Sequence, residues 1–415
     1  MPSDSVPNKK ALLLALDDWA AVHHLCRGLI GAGFDVRAIF PSGSVLNHTR
    51  FVSKHGRLSS FQKLCSLMLA AENRFGNPIA LRPFGWFATR HLAARILTST
   101  TNWSPDVIIP IDDRATRLCR DMLAGRAGLL PVLLSASLLR SLGDPATLEQ
   151  RLSRSGNYTA ALAAGVRVPK QLTVTDRRET LSFASEIGYP VVLKEENSAG
   201  GNGVTICPDE SSLIDALEKC DSSFFDRLLA RLLGIHRRAQ RQLVVQQFIR
   251  GQATMREIVC WDGKALSGFS LAKMVSPSAT GAASVVQSIL NREMEHATSG
   301  LAETLKLSGF ADVDFILDNE GAAYCLELNA RPTGLTHLGT RLGFSLEKAL
   351  FDILAGHPVE TSPFPTRDEV IAIFPKEWWR DPESNALHSA YHDVPWADPE
   401  VVNYYVLRRP KSTMN

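Results

Sequence analysis

The stretch GFADVDFILDNEGAAYCLELNARPTG, Gly309 to Gly334, constrains the fold of this chain more than any other. Two runs of strand-forming residues, Asp312 to Leu317 and Ala322 to Asn329, flank Asp318-Asn319-Glu320-Gly321, a polar, Gly-ended tetrapeptide of hairpin type. A loop of two or four residues sets Asp314 opposite Cys325. One face then carries Asp314, Glu327 and Asn329. The other collects Val313, Phe315, Leu317, Ala322, Tyr324, Leu326 and Leu328, as expected of a sheet with one side on a core. Carboxylates brought together repel, so such a face either holds a hard cation, meets a basic group, or is an ordinary solvated hairpin face. Few protein oxygens suit Mg²⁺, which keeps waters and takes its other ligands from phosphates. Arg331 follows in a Pro-containing turn, where it can clamp a phosphoryl group.

The 415 residues are 45% hydrophobic and carry 45 basic against 43 acidic side chains, a net charge of +2. That is a soluble globular chain with room for two or three domains, and the charge gives no argument for nucleic acid or membrane as a partner. Seven scattered cysteines without a CxxC pair read as reduced, mostly buried thiols of a cytoplasmic protein, with no zinc site suggested. No apolar run reaches about 18 residues and the amino terminus lacks a signal-peptide core, so no membrane span is expected.

Ala11 to Leu16, a helix-like run from Trp19 to Ile30 and Asp35 to Phe40 read as a βαβ opening, and hence as a parallel, doubly wound domain. Two helices are expected between Phe61 and Thr100, then a buried strand, Val107 to Ile111. Asp112, Asp113 and Arg114 follow at its carboxyl end, where open α/β sheets bind ligands; a helix N-cap at Asp112 or Asp113 is the competing reading. Arg151 to Pro169 reads as a helix stopped near Gly165.

GYPVVLKEENSAGGNGVTIC, Gly188 to Cys207, is strand, loop, strand. Lys194 leaves the first strand just before a loop containing Gly200, Gly201, Asn202 and Gly203. Its glycines let backbone N–H groups approach phosphate oxygens without Cβ clashes, and the lysine neutralises charge. Asp221 to Gln242 has helical apolar spacing and a basic side that suits packing on its own domain with a solvated face, a membrane surface or an acidic partner being the alternative. Leu243 to Phe248 is a strand, Arg256 to Lys273 is strand-turn-strand, Val275 to Ser284 a small-residue loop able to close over a substrate, and Asn291 to Leu307 a helix. Thr336 to Gly356 reads as one helix carrying His337, either a base or a capping or pocket-lining residue, and Arg341. The aromatic and Pro-bearing tail suits a cover for the site or a homodimer surface.

ELNARPTG after a VDF strand, together with PVVLK and its Gly-rich loop, resembles the ATP-grasp superfamily of the carboxylate-amine ligase type, and the motifs run in family order from about Arg151 to Gly356. The resemblance implies an α/β (α+β) fold with an N-terminal α/β domain (1–125), a linker (126–190), a small lid subdomain (191–248), a large subdomain with the metal hairpin (249–357) and a C-terminal extension (358–415). It implies ATP as cofactor with Mg²⁺, two ions, for which Mn²⁺ can substitute, held by Asp314, Glu327 and Asn329. Lys194, Gly200 to Gly203 and Lys273 would contact phosphates. Gln246, Gln247, Phe248 and Ile249 match the hinge that reads adenine.

Several positions depart from the family pattern. Arg151 and Arg154 stand in for an expected phosphate-contacting lysine, and Arg151 is taken as the ATP contact. Glu195 replaces a frequent proline, Gln the usual hinge Glu, and Ala253 a frequent ribose-binding Glu. Arg331 and Lys273 are the catalytic candidates. Arg331, Glu257, Arg256, Asp113 and Arg114 are the substrate-binding candidates, with Arg341 a further carboxylate holder. The implied activity is activation of a carboxylate as an acyl phosphate and its capture by an amine, with amino-acid or dipeptide ligation first. Ligation of a larger acid in a specialised pathway and a non-catalytic nucleotide-binding role are the alternatives.

Overall fold

The computed structural model describes residues 9–18, 22–52, 56–74, 82–196, 203–221, 243–278, 280–360 and 368–409. The loop expected to bind phosphate, 197–202, and the basic amphipathic helix expected within 221–242 lie almost wholly outside them.

The amino-terminal sheet is parallel, with β1 (Lys10–Leu14) between β2 (Asp35–Ile39) and β3 (Val107–Pro110). Alternate residues of β1 enter different cores. Ala11 and Leu13 pack with Leu25 and Leu29 of the helix Val22–Ala32, while Leu12 and Leu14 pack with Leu92, Ile96 and Leu118 of the helices Arg82–Thr100 and Asp113–Leu123. A strand buried on both faces needs apolar side chains at consecutive positions, hence ALLLAL without alternation. The strand order reverses beside β1, so the carboxyl ends of β1 and β3 open into one crevice. Asp112 caps the second of these helices, accepting from Ala115 N at 2.9 Å, and also holds Leu16 N at 2.7 Å and Asp17 N at 3.0 Å.

A four-stranded antiparallel sheet follows, ordered β4 (Gln171–Thr173), β7 (Leu243–Gln247), β5 (Val191–Glu195), β6 (Val204–Cys207). Val191, Leu193 and Val245 pack with Ala184 of the helix Arg177–Ile187 and Leu213 of the helix Glu210–Asp221. The large sheet runs β12 (Ala323–Asn329), β11 (Gly309–Asp318), β8 (Gly251–Trp261), β9 (Lys264–Val275), β10 (Val285–Ile289), β13 (Val370–Ala372), β14 (Tyr391–His392). Met255, Val259, Phe269 and Leu271 on one face join the core that contains Leu13 and Leu25, which seats the sheet on the amino-terminal domain. On the other face Val313 and Phe315 meet Leu301 of the helix Arg292–Thr304 and Ala160 of the helix Arg154–Ala163. The chain beyond 358 is built into this sheet as β13 and β14, and Val401 and Tyr405 of the helix Pro399–Leu407 enter the core beneath it.

The central hairpin forms where expected but in a different register. Asp318 Oδ1 accepts from Glu320 N and Ala322 N, and Gly321 takes φ +83° to close the turn. Pairing runs Phe315 with Cys325 and Leu317 with Ala323, then slips by one so that Asp314 faces Glu327 and Asp312 faces Asn329. The odd-length turn, with Leu317 paired to Ala323, places Ala323 and Cys325, rather than Tyr324 and Leu326, on the core side with Phe315, and the bulge beyond it returns Leu328 to that side and Asp314 and Glu327 to the other. Two helices are also corrected. The run 336–356 breaks at Gly343, φ +88°, into Leu338–Leu342 and Leu346–Ala355, and the run from 151 divides into Leu148–Arg151 and Arg154–Ala163, the latter capped by Ser153. Among the described residues no helix is long and apolar enough to cross a membrane.

Candidate nucleotide and metal site

The four-stranded sheet closes over the large sheet to leave a cavity of about 350 Å³. Its chemistry is graded along its length. Val192, Val204 and Ile206 from the small sheet and Ile316 and Leu326 from the hairpin line an apolar part, together with Gln246, Gln247, Phe248 and Ile249. The two glutamines are anchored to the edge strand: Gln246 Nε2 donates to Gln171 Oε1 at 3.0 Å, and Gln247 Oε1 accepts from Lys170 N at 3.2 Å. Ala253 lines the same cavity with a methyl group, where the family resemblance implies a carboxylate.

The polar part is built by strand alternation. Asp312 and Asp314 project from the same face of β11, and their partners Asn329 and Glu327 sit beside them on β12. Asn329 Nδ2 donates to Asp312 Oδ2 at 3.1 Å and to Asp314 Oδ2 at 3.3 Å. Burial pushes the Asp314 carboxyl up to about 6, with Glu327 adding to the rise, and pushes Asp312 well above the carboxylate range, with Asp314 adding to it. Asp312 Oδ1 is buried and has no hydrogen-bond partner. Hard oxygens crowded together, one of them orphaned, fit a divalent cation of the Mg²⁺ type.

Cations face this cluster. Lys194 lines the cavity from β5, and burial lowers its ammonium to about 8 against the pull of Glu327. Lys273, whose Nζ donates to Gly281 O at 2.6 Å, ties the 276–284 loop to β9. Arg331 is 5% exposed and grips Asp113 of the amino-terminal domain, Nε to Oδ1 at 2.6 Å. Burial alone would lift Asp113, but the guanidinium outweighs it and leaves the carboxyl below its usual range. Lys376, from the carboxyl-terminal segment, also lines the cavity, and burial lowers its ammonium.

The structure redistributes several expected roles. Arg151 does not face the cavity. It is buried, and its guanidinium donates to the carbonyls of Leu142, Asp144, Leu305 and Lys306, which makes it a staple between segments. Arg154 lines the cavity instead, with Nε and Nη2 on the two oxygens of Glu327 at 3.2 and 3.1 Å. Glu257 sits a layer below, fully buried and bonded to the hydroxyls of Thr333 and Thr336, with burial raising it to about 7. Its neighbour Arg256 points to the opposite face of the sheet, bonded to Ser270 Oγ at 3.0 Å. It lines a second cavity beside the helix Arg292–Thr304. Arg114 pairs with Asp17 at 3.3 Å, and Arg341 pairs with Glu369 and stacks on Tyr391. Gly203 is described, with Glu195 N donating to its carbonyl at 2.9 Å; Gly200, Gly201 and Asn202 are outside the described residues.

Two expected results separate these roles. Arg151→Ala should destabilise the fold by about 3 kcal/mol or more, because it strands several buried carbonyls, while sparing nucleotide affinity in whatever remains folded. Arg154→Ala should do the reverse. Paired denaturant melts and nucleotide titrations read both, and a merely lower affinity in stable Arg151→Ala would sink the division. The raised carboxyls give a second expectation. Between the ordinary carboxylate range and about 7 the folded chain binds more protons than the unfolded one, so stability falls as pH rises through that window. Added Mg²⁺ should restore more stability at pH 8 than at pH 5, and Asp314→Asn should flatten the slope in thermal melts; an unchanged slope would dismiss Asp314 as its source.

The apolar slot that grades into facing cations and carboxylates is held between the four-stranded antiparallel sheet and the seven-stranded mixed sheet. Residues 157–335 match the ATP-grasp domain family. It is 32% identical over 117 residues, 28% of this chain and 22% of the relative, to uncharacterized protein y4rH of Sinorhizobium fredii (strain NBRC 101917 / NGR234). The chain spans 17 to 27% of the length of the first curated relatives it matches. Among solved structures it resembles an ADP complex of N5-carboxyaminoimidazole ribonucleotide synthetase, with TM-score 0.57 and 14% identity, covering 88% of this chain and 80% of that one. It also resembles an L-amino acid ligase from Bacillus licheniformis, with TM-score 0.51 and 15% identity, covering 84% and 74%.

Proposed function

We propose that this chain is an ATP-dependent carboxylate-amine ligase, releasing ADP and phosphate. The observation that carries the reading is the single cavity in which Asp312, Asp314, Glu327 and Asn329 face Lys194, Arg154, Lys273 and Arg331. Asp314, Glu327 and Asn329, joined by Asp312, would hold Mg²⁺, whose charge when bound offsets that of the phosphates. The slot lined by Val192, Ile206 and Leu326 would take the adenine.

In the reaction we propose, a substrate carboxylate oxygen attacks the γ-phosphorus and the bond to ADP breaks. Lys194 and Lys273 balance charge on the phosphoryl oxygens, and Arg331, fixed by Asp113, orients the acid. An amine then attacks the acyl carbon, phosphate leaves, and the amine gives up a proton to form the amide. The 276–284 loop, tied down through Lys273, would exclude water from the acyl phosphate. An amino acid or dipeptide is the acid we favour, a choice supported by the likeness to the L-amino acid ligase. Ala253, which leaves the cavity without the expected ribose acid, favours a second reading as a nucleotide-binding protein without turnover.

The deciding experiment offers Mg²⁺-ATP with amino acids singly and in pairs and follows ADP, phosphate and product mass. Pair-dependent release with a condensed product supports the ligase. AMP and pyrophosphate would overturn the acyl phosphate, and nucleotide binding without turnover for any acid would support the second reading.

A further inference from the structure

Outside this cavity, three segments distant in sequence bring histidines and a carboxylate together. His24 comes from the first helix of the amino-terminal domain, His337 from the turn after the metal hairpin, and Asp393 from the chain just past β14. One ligand atom of each lies within 4.8 Å of the others. His337 Nε2 and Asp393 Oδ2 are 3.0 Å apart. That is close to the roughly 3.3 Å edge of a tetrahedron with bonds of about 2.0 Å to a central zinc. The His24 and His337 rings stack at 4.1 Å with 6° between their planes, so one ring has to swing out of the stack for both nitrogens to reach one ion.

Two further facts point to a ligand. His24 Nε2 is buried and has no hydrogen-bond partner, so pairing His337 with Asp393 leaves the cluster incomplete. Asp393 is already oriented, since its other oxygen accepts from the backbone N–H of Phe374, the kind of outer bond that fixes a metal ligand. Two imidazole nitrogens and one carboxylate oxygen form a borderline donor set, unlike the all-oxygen cluster of the nucleotide cavity, and they suit zinc or a neighbouring first-row cation.

We propose that His24, His337 and Asp393 bind one first-row divalent cation, with Zn²⁺ as the probe, fastening the amino-terminal domain, the ATP-grasp core and the carboxyl-terminal segment to one another. Nothing in this depends on turnover, so failure of the ligase reading and failure of this site are separable.

The test uses the full chain, stripped with chelator and titrated with Zn²⁺ in excess Mg²⁺, with metal content and melting temperature read together. One equivalent retained at micromolar zinc, a raised melting temperature, and loss of both in His24→Gln and Asp393→Asn but not in Glu327→Gln are expected. Retention of the equivalent in His24→Gln, or no retention in the wild type, would overturn the proposal. If the variants fail to fold, Co²⁺ loading of the wild type decides: tetrahedral ligand-field absorption supports the site, and stoichiometric Co²⁺ without it refutes it.

Discussion

Glu327→Gln should lower kcat by at least about 10²- to 10³-fold while the melting temperature stays close to that of the wild type. The change is nearly isosteric, and the side chain lies on a cavity wall, 26% exposed, so no core packing is lost. What disappears is one negative charge facing Lys194 and Arg154, and with it the oxygen that the proposed reading gives to the cation. Removing one preorganised electrostatic partner at a developing charge costs about 3 to 4 kcal/mol of barrier. ADP release under saturating Mg²⁺-ATP measures it. An equally active Glu327→Gln enzyme would sink the metal assignment, and an inactive, unfolded one would move Glu327 from chemistry to structure.

Arg331→Ala should produce a loss of similar size, about 10³-fold in kcat/KM, and Arg331→Lys should recover little of it. The guanidinium meets Asp113 with two nitrogens, Nε at 2.6 Å and Nη2 at 3.4 Å, and a lysine ammonium cannot reproduce that fork. Asp113→Asn keeps the arginine and loosens only its orientation, so its effect should be nearer tenfold and should fall on KM for the acid more than on ATP. Near-normal turnover by Arg331→Lys would show that charge alone matters there.

Much of this site is readable from alternation and punctuation. Asp314 and Glu327 could be placed on one face because a strand repeats every two residues, and Asp312 obeys the same rule from the same strand, so the signal for it was present. The bulge between Asp314 and Phe315 was not readable, since an extra residue in one strand leaves the composition of both unchanged. Period two also says that Arg256 and Glu257 point to opposite faces without saying which face meets the cavity; that is set by the amino-terminal domain packing on Met255 and Val259. The choice between Arg151 and Arg154 turned on Ser153, whose cap starts a new helix and rotates Arg154 toward Glu327. Lys376 carried no local signal, because it reaches the cavity only after β13 has joined the large sheet.

The slipped register of the hairpin makes β12 a ruler. Successive strand residues ordinarily point to opposite sides, yet here Leu326 and Glu327 both line the cavity, one in its apolar part and one among the charges. They stand one residue rise apart, about 3.3 Å, so a single strand sets how far a bound ligand's flat, greasy end can sit from its charged end. Deleting one residue there would restore regular alternation and turn one of the two side chains toward the core.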